Sequence, residues 1–503
     1  MALGRAYSVA VRGLDGSIVE IEADISSGLP GVHLVGLADA ALQESRDRVR
    51  AAITNGGNKW PMSRLTLALS PATLPKMGSV YDIALACAVL SADQKKPWHR
   101  LEKTVLLGEL ALDGRVRPIR GVLPAVLAAK SQGWPTVVVP TANLAEASLV
   151  DGIEVLGVGT LKQLQNWLTS GRSLQGRIAA PSSLFEPVAD LADVVGQSQA
   201  RFAVEVAAAG AHHLMVTGPP GVGKTMLAQR LPGLLPDLTE SEALEVTAVH
   251  SVAGMLSDSV PLITRPPFIA PHHSSSVAAL VGGGTGLARP GAVSRAHRGV
   301  LFLDECAEIR LSALEALRTP LEDGEIRLAR RDGVSRYPAR FQLVLAANPC
   351  PCAPADSRDC ICSAIQKRRY LGKLSGPLLD RVDLRVQMFV VRAGAFAPES
   401  GESSATVRER VAAARGAAAE RWRAYGFNTN AEVAGPVLRR NFRLSAKAMT
   451  PLKTALERGL LSIRGADRSM RVAWTLCDLA GRGSPNRDDV SVALSFRQGE
   501  VSV

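Results

Sequence analysis

At 503 residues the chain is too long for one hydrophobic core, so roughly two to four domains are expected. With 47% hydrophobic and 21% charged residues it reads as a folded soluble chain, not a disordered or fibrous one. Aromatics are only 4%, so the core rests mainly on Ala, Val and Leu, and the net charge of +11 admits a polyanionic partner without requiring one.

The first 31 residues carry Asp15, Glu20, Glu22 and Asp24 and no continuous apolar stretch, which argues against a secretory leader. The longest apolar run, Ile83–Leu90, is far short of the ~20 residues a membrane span needs, so no membrane partner is expected. Of the seven cysteines, four are bunched between 350 and 362 and the others stand singly in apolar segments. That usage fits a reducing cytoplasm.

In chain order, residues 1–175 mix short strand-like runs (Ser17–Ile21, Arg64–Leu69, Thr104–Leu107, Thr136–Val139) with helical stretches at Asp39–Ala52 and Tyr81–Ser91. The polar stretch Ser170–Ser183 reads as a linker, and the boundary is placed at 176–189. From 190 to 395 apolar strands alternate with amphipathic helices, the pattern of a parallel sheet covered on both faces. Gly394–Ser404 marks a second boundary. Residues 396–503 then show only helical patterns, at Thr406–Tyr425, Ser445–Leu461, Met470–Ala480 and Arg487–Phe496.

Chemistry concentrates in the middle region. The octapeptide Gly218-Pro219-Pro220-Gly221-Val222-Gly223-Lys224-Thr225 follows an apolar run and opens a helical segment. Strand, glycine loop and helix is the context of a phosphate-binding loop: backbone N–H groups and the helix N-terminus face phosphate oxygens. Lys224 would reach the outer phosphates and Thr225 would ligate Mg²⁺. Downstream, Val300–Leu303 forms a buried strand ending in two carboxylates. Asp304 would hold Mg²⁺ through water and Glu305 would act as general base on the attacking water. A second apolar strand, Phe341–Ala347, ends at Asn348, an amide suited to orienting that water. Arg381 follows a short helical segment. It reads either as a finger on a neighbouring subunit's γ-phosphate or as a surface ion pair with Asp380 or Asp383. Among the helical patterns Arg471 is the candidate for nucleotide contact, with Arg464 and Arg468 as competitors.

Val195-Gly196-Gln197, Ala270-Pro271-His272-His273-Ser274, Gly282-Gly283-Gly284, Asn348-Pro349-Cys350-Pro351-Cys352 and Gly376-Pro377-Leu378-Leu379-Asp380-Arg381 accompany these motifs in order. On them, residues 190–503 resemble the magnesium-chelatase-like branch of AAA+ proteins, and the whole chain resembles the YifB/ComM family. The resemblance implies an α/β fold with an αβα P-loop AAA+ core and a C-terminal helical lid. It implies ATP and Mg²⁺ as cofactors and a homo-oligomeric ring, hexameric by analogy, with ATP between subunits. Residues 1–175 resemble the α+β proteolytic domain of Lon, through Pro75–Asp82 and Gly108–Ile119. Alignment to Lon puts Val80 at the nucleophile position and Leu123 at the catalytic lysine position, so the resemblance implies an inactive relative. Ser79, Lys76 and Lys130 lie near those positions.

Positive charge clusters before Asn348. Arg327, Arg330, Arg331, Arg336 and Arg340 face only Glu325 and Asp332, and Asp332-Gly333 is a hairpin turn signal. A basic β-hairpin is expected there, its arginines contacting DNA phosphates without sequence preference or serving only solubility. Lys367-Arg368-Arg369 adds a second basic cluster, whereas Tyr337 and Tyr370 are isolated and form no evident stacking platform. Cys350, Cys352, Cys360 and Cys362 admit either a tetrahedral zinc site or four free thiols, and His272 and His273 are either further ligands or residues with a helix-insert or polar-contact role. The functional expectation is an ATP-hydrolysing AAA+ ring motor acting on DNA, helicase-like or branch-migrating, in recombination or DNA uptake. The alternative is a protein-remodelling or metal-chelatase-type ATPase subunit.

Overall fold

The computed structural model describes residues 2–36, 40–76, 78–93, 98–178, 189–256, 261–284, 288–330, 333–354, 357–390 and 401–499. Arg331 and most of the 394–404 boundary lie outside these residues, as does the end of the 170–183 linker.

The N-terminal region is built on one seven-stranded mixed sheet. Its spatial order is Gly31–Val35, Arg64–Ser70, Asp15–Ser26, Ala2–Arg12, Thr104–Leu106, Thr136–Pro140 and Glu154–Val158. The antiparallel pair Ala2–Arg12 and Asp15–Ser26 reverses at Leu14 and Gly13, the latter with φ of +65°. The helix Asp82–Ala92 is apolar almost all round and nearly every residue in it is buried. It lies on one face of the sheet, against Ala6, Ile21 and Leu67. The helix Val122–Ser131 covers the other face, against Val9 and Val137.

The middle region is the parallel sheet that alternating strands and helices require. Five strands lie in the order Phe268–Ile269, Val300–Leu303, Gln342–Ala347, Leu214–Thr217, Leu384–Gln387, and every pairing is parallel. The first strand in the chain therefore sits inside the sheet, between the fourth and the fifth. In such sheets ligands bind where the strand order reverses, beyond the carboxyl ends. The register pairs Thr217 with Ala347 and Leu303 with Leu345, so the residues after these strands emerge along one edge.

The C-terminal region is helical, as its patterns predict: Ser404–Trp422, Gly435–Asn441, Ala446–Glu457, Ile463–Leu479 and Arg487–Gln498. The helix Gly435–Asn441 was not anticipated; it is a short one, started by Pro436. Trp422 is fully buried, donates to Asn430 Oδ1 at 2.8 Å and packs edge-on to Trp474. One core cluster joins this region to the parallel sheet, through Val204, Val216, Phe302, Trp422 and Phe496.

Candidate nucleotide-hydrolysis site

The loop after Leu214–Thr217 turns tightly. Gly221 and Gly223 have φ of +78° and +92°, in the left-handed region where a side chain is strained, and Gly223 caps the helix Lys224–Leu234. A Cβ on Gly218 would stand 2.6 Å from the Met388 carbonyl oxygen, so the loop closes down only with glycine there.

Lys224 lies in this loop, 8% exposed. Its ammonium donates to the carbonyls of Gly218 and Pro219, both at 2.8 Å, and to Asn348 Oδ1 at 3.0 Å. Burial lowers its pKa, against the pull of Asp304 and Glu305. Thr225 donates to Asp304 Oδ2 at 2.6 Å, and Asp304 Oδ1 accepts from the Glu305 backbone N–H at 2.9 Å. Glu305 has φ of +47°, a conformation uncommon for any residue but glycine. Such strain persists only where surrounding structure enforces it, and it aims a half-exposed carboxylate off the strand end. Lys224, Thr225, Asp304, Glu305 and Asn348 thus meet at one sheet edge.

No motif pointed to the partner of Glu305. His273 Nδ1 lies 3.1 Å from Glu305 Oε2, so of the two roles open to it His273 takes the polar contact. His272 is next to it, its ring 4.1 Å away and its Nδ1 2.7 Å from the Ser274 hydroxyl.

Arg381 is buried, and neither Asp380 nor Asp383 is its partner. It pairs with Glu322 and donates to the Pro377 carbonyl at 2.6 Å. Asp380 is engaged by Arg497, and Asp383 by Arg468 at 2.6 Å. The alternative ion pair with a sequence neighbour does not form; Arg381, Asp380 and Asp383 each pair with residues distant in the chain. One cleft is lined by Arg381, Arg464, Arg468, Arg471, Glu322, Asp380 and Asp467, with no phosphate-loop residue among them. Arg471 is therefore gathered with Arg381 and both of its competitors. Burial lowers its pKa, and its Nε finds no acceptor among the described residues.

The basic hairpin forms as expected, Glu325–Arg330 against Gly333–Pro338, with Arg330 opposite Gly333. Arg327 and Arg336 face each other across the strands and are exposed, as is Arg330. Tyr337 is buried and donates to the Ala288 carbonyl, which removes it from any stacking surface. The hairpin also meets the N-terminal sheet: a Cβ on Gly13 would stand 2.4 Å from the Arg336 carbonyl oxygen. The four clustered cysteines converge. Cys350, Cys352 and Cys360 have sulfurs 3.4 to 3.6 Å apart, and the ligand atoms of all four lie within 4.8 Å of one another.

Comparison with known families covers most of the chain. Residues 190–395 match the magnesium chelatase subunit ChlI family, residues 21–143 a second ChlI family, and residues 401–497 the ChlI C-terminal family. The chain is 39% identical over 500 residues to the YifB protein of Escherichia coli, covering 99% of this chain and 97% of that one. It is 39% identical over 504 residues to the competence protein ComM of Haemophilus influenzae, with 99% and 98% covered. The chain belongs to the YifB/ComM family. An 80% identical relative in Mycobacterium tuberculosis, matched over 498 residues and 99% of both chains, has no described function. The magnesium-chelatase-like kinship of the YifB/ComM family makes this an ATPase-type AAA+ protein, with ATP and Mg²⁺ as its cofactors. The residues present fit them. Thr225 and Asp304 offer the oxygen donors magnesium prefers, and the loop offers backbone N–H groups and an ammonium for phosphate.

Proposed function

We propose that this chain is an ATP-hydrolysing ring motor that acts on DNA. The observation that carries it is the meeting of Lys224, Asp304, Glu305 and Asn348 at one edge, while four arginines line a cleft that no phosphate-loop residue shares. A second copy's phosphates are the natural occupant of that cleft, which makes a homo-oligomeric ring, hexameric by family analogy, the working form. Bound magnesium would neutralise phosphate charge. Lys224 would release the loop carbonyls and hold the phosphate. Glu305 would accept the proton of the attacking water, and Asn348 would orient that water. His273 would hold the Glu305 carboxylate until substrate arrives. Arg381, with Arg471, Arg464 or Arg468, would stabilise the developing charge across the subunit boundary.

DNA is the substrate because the hairpin exposes Arg327, Arg330 and Arg336, and Lys367, Arg368 and Arg369 are exposed as well. These groups suit phosphate contacts without base readout. One relative, the competence protein ComM, is named for competence, in keeping with DNA uptake. Zinc is the ion suited to the four converging thiols. The N-terminal region would be a Lon-like relative without peptidase activity. Leu123 is fully buried and Val80 packs into the core, while Ser79 donates to Glu109 and Lys76 to the Pro71 carbonyl, so Ser79 and Lys76 do not pair with each other. The seven cysteines form no disulfide, in keeping with a reducing cytoplasm.

The test is ATPase turnover with and without single-stranded and branched DNA. Wild type should be stimulated by DNA, and Glu305→Gln should bind ATP but lose about 10²–10⁴-fold in turnover. A metal-chelatase-type role is the second reading, favoured by the three ChlI matches. Turnover indifferent to every DNA form would select it.

A further inference from the structure

We propose that the four cysteines hold one zinc ion, and that this ion fastens the catalytic strand tip to the basic helix Ala364–Leu371. The first pair, Cys350 and Cys352, follows Asn348 at the end of Gln342–Ala347. The second pair, Cys360 and Cys362, leads straight into Ser363, which caps that helix by a capping box with Gln366. The sulfurs therefore bridge two elements, with the short helical turn Ser357–Asp359 lying between the two pairs.

Three observations point to a metal. Zn–S bonds of about 2.3 Å in a tetrahedron put sulfurs about 3.8 Å apart. The observed separations of 3.4 to 3.6 Å are close to that edge, and all four ligand atoms lie within 4.8 Å. Cysteines two apart converge only on a bent backbone, and the chain bends after the first pair: Ala353 has φ of +42°, and its N–H reaches the Cys350 carbonyl at 3.3 Å. No disulfide links the four, so each sulfur is available as a thiolate ligand.

Among the described residues, the near end of the basic helix touches the cysteine cluster itself, through Lys367 and Cys360. Only Tyr370 of its eight residues is buried, and Ile361 and Ile365 are 89% and 78% exposed. A helix this short is marginal without tertiary packing. Tyr370 and Leu374 hold its far end, leaving the metal to hold the near end. The ion would then make Asn348, which touches Lys224 at 3.0 Å, and the Lys367–Arg369 cluster parts of one rigid body. Only the consequence for DNA rests on the motor reading; the metal and the anchoring do not.

The experiment uses the full chain, purified without added metal. Elemental analysis should find one zinc per chain, and Cys360→Ser/Cys362→Ser should lose at least about nine-tenths of it. Cys352→His, which keeps a zinc donor at an exposed position, should retain the metal with an unchanged melting temperature. Limited trypsin digestion should then show cleavage at Lys367–Arg369 rising at least about tenfold on chelation. Absence of zinc, with all four thiols open to alkylation, would overturn the site. Zinc present, with cleavage indifferent to its removal, would overturn the anchoring. Neither readout involves DNA or turnover, so failure here is distinct from failure of the motor reading.

Discussion

His213 stands just before the strand Leu214–Thr217, and its ring is committed to the neutral form. The Leu343 backbone N–H donates to its Nδ1 at 3.0 Å, which requires a free lone pair there. Burial pushes its pKa down from 6.5 to about 4. Next to it, burial raises the Asp383 carboxyl, but Arg468, His212 and His213 outweigh that and hold it well below the usual carboxylate range. Asp383 also accepts from the His213 backbone N–H at 3.1 Å, so the pair ties the strand Leu214–Thr217 to Arg468 of the C-terminal helices. Both folded pKa values lie below their unfolded ones. Their contributions are present above the unfolded values and lost as pH falls, His213 first between 6.5 and about 4, then Asp383 below 3.8. Because the His213 residue is only partly shielded, its share is about 1–2 kcal/mol. The melting temperature should drop across that window, and His213→Asn, which keeps an acceptor for Leu343, should flatten the drop. An equally steep curve in the variant would refute the assignment.

The basic hairpin shows what an element reveals that a residue does not. Arg327 and Arg336 lie directly opposite each other, where like charges are destabilising. Ile326 and Tyr337 hold the other face inward. Substituting the outward pair should therefore leave the hairpin folded. If the pair contacts DNA phosphates, Arg327→Ala/Arg336→Ala should weaken binding to every sequence alike. It should also reduce the slope of log affinity against log salt by about two. Titration at several salt concentrations measures both, and an unchanged slope would remove this pair from the DNA surface. The hairpin was legible because its turn signal and period-two pattern are local, and so were the sheet strands ending at Asp304 and Asn348. The strand Ala2–Arg12 was not anticipated, since its run of Ala, Gly, Arg and Ser is weakly apolar and its burial comes from a helix far along the chain. The two-residue strand Phe268–Ile269 is too short for any period to show. The pairings of Arg381 with Glu322 and of Glu305 with His273 were illegible for the same reason. They join elements brought together only by the sheet order.

Across the whole molecule, the N-terminal region is docked on the parallel-sheet region by the helix Glu240–Ala253. Its Leu244 and Ala248 pack into the cluster that holds Val122, Leu123 and Val126. At the centre of the contact, the buried Glu146 carboxylate accepts from the Leu123 backbone N–H at 2.8 Å and from the Ser251 hydroxyl. Leu123 thus lies within the seam between the two regions. The helix continues the contact toward the hydrolysis site. His250 Nε2 lies 2.9 Å from the Arg295 carbonyl, and Glu245 lies 2.9 Å from His297, in the segment leading to Val300–Leu303 and Glu305. Burial raises the Glu146 pKa, against donors from Ser251, Leu123 and Asn143. A carboxyl with a raised folded pKa contributes stability that is fully present below its unfolded value of 4.5 and is lost as pH rises through the folded one. Docking should therefore loosen as pH rises out of the acidic range, and Glu146→Gln, which cannot ionise, should abolish that dependence. Ser251→Ala strands one acceptor of a buried carboxylate and should cost about 1–3 kcal/mol at the seam. Hydrogen exchange of the helices Glu240–Ala253 and Val122–Ser131, followed against pH in wild type and both variants, reads the opening directly. Faster exchange in Ser251→Ala together with a pH-independent profile in Glu146→Gln is the expected result, and identical exchange in all three proteins would dismiss Glu146 as the latch.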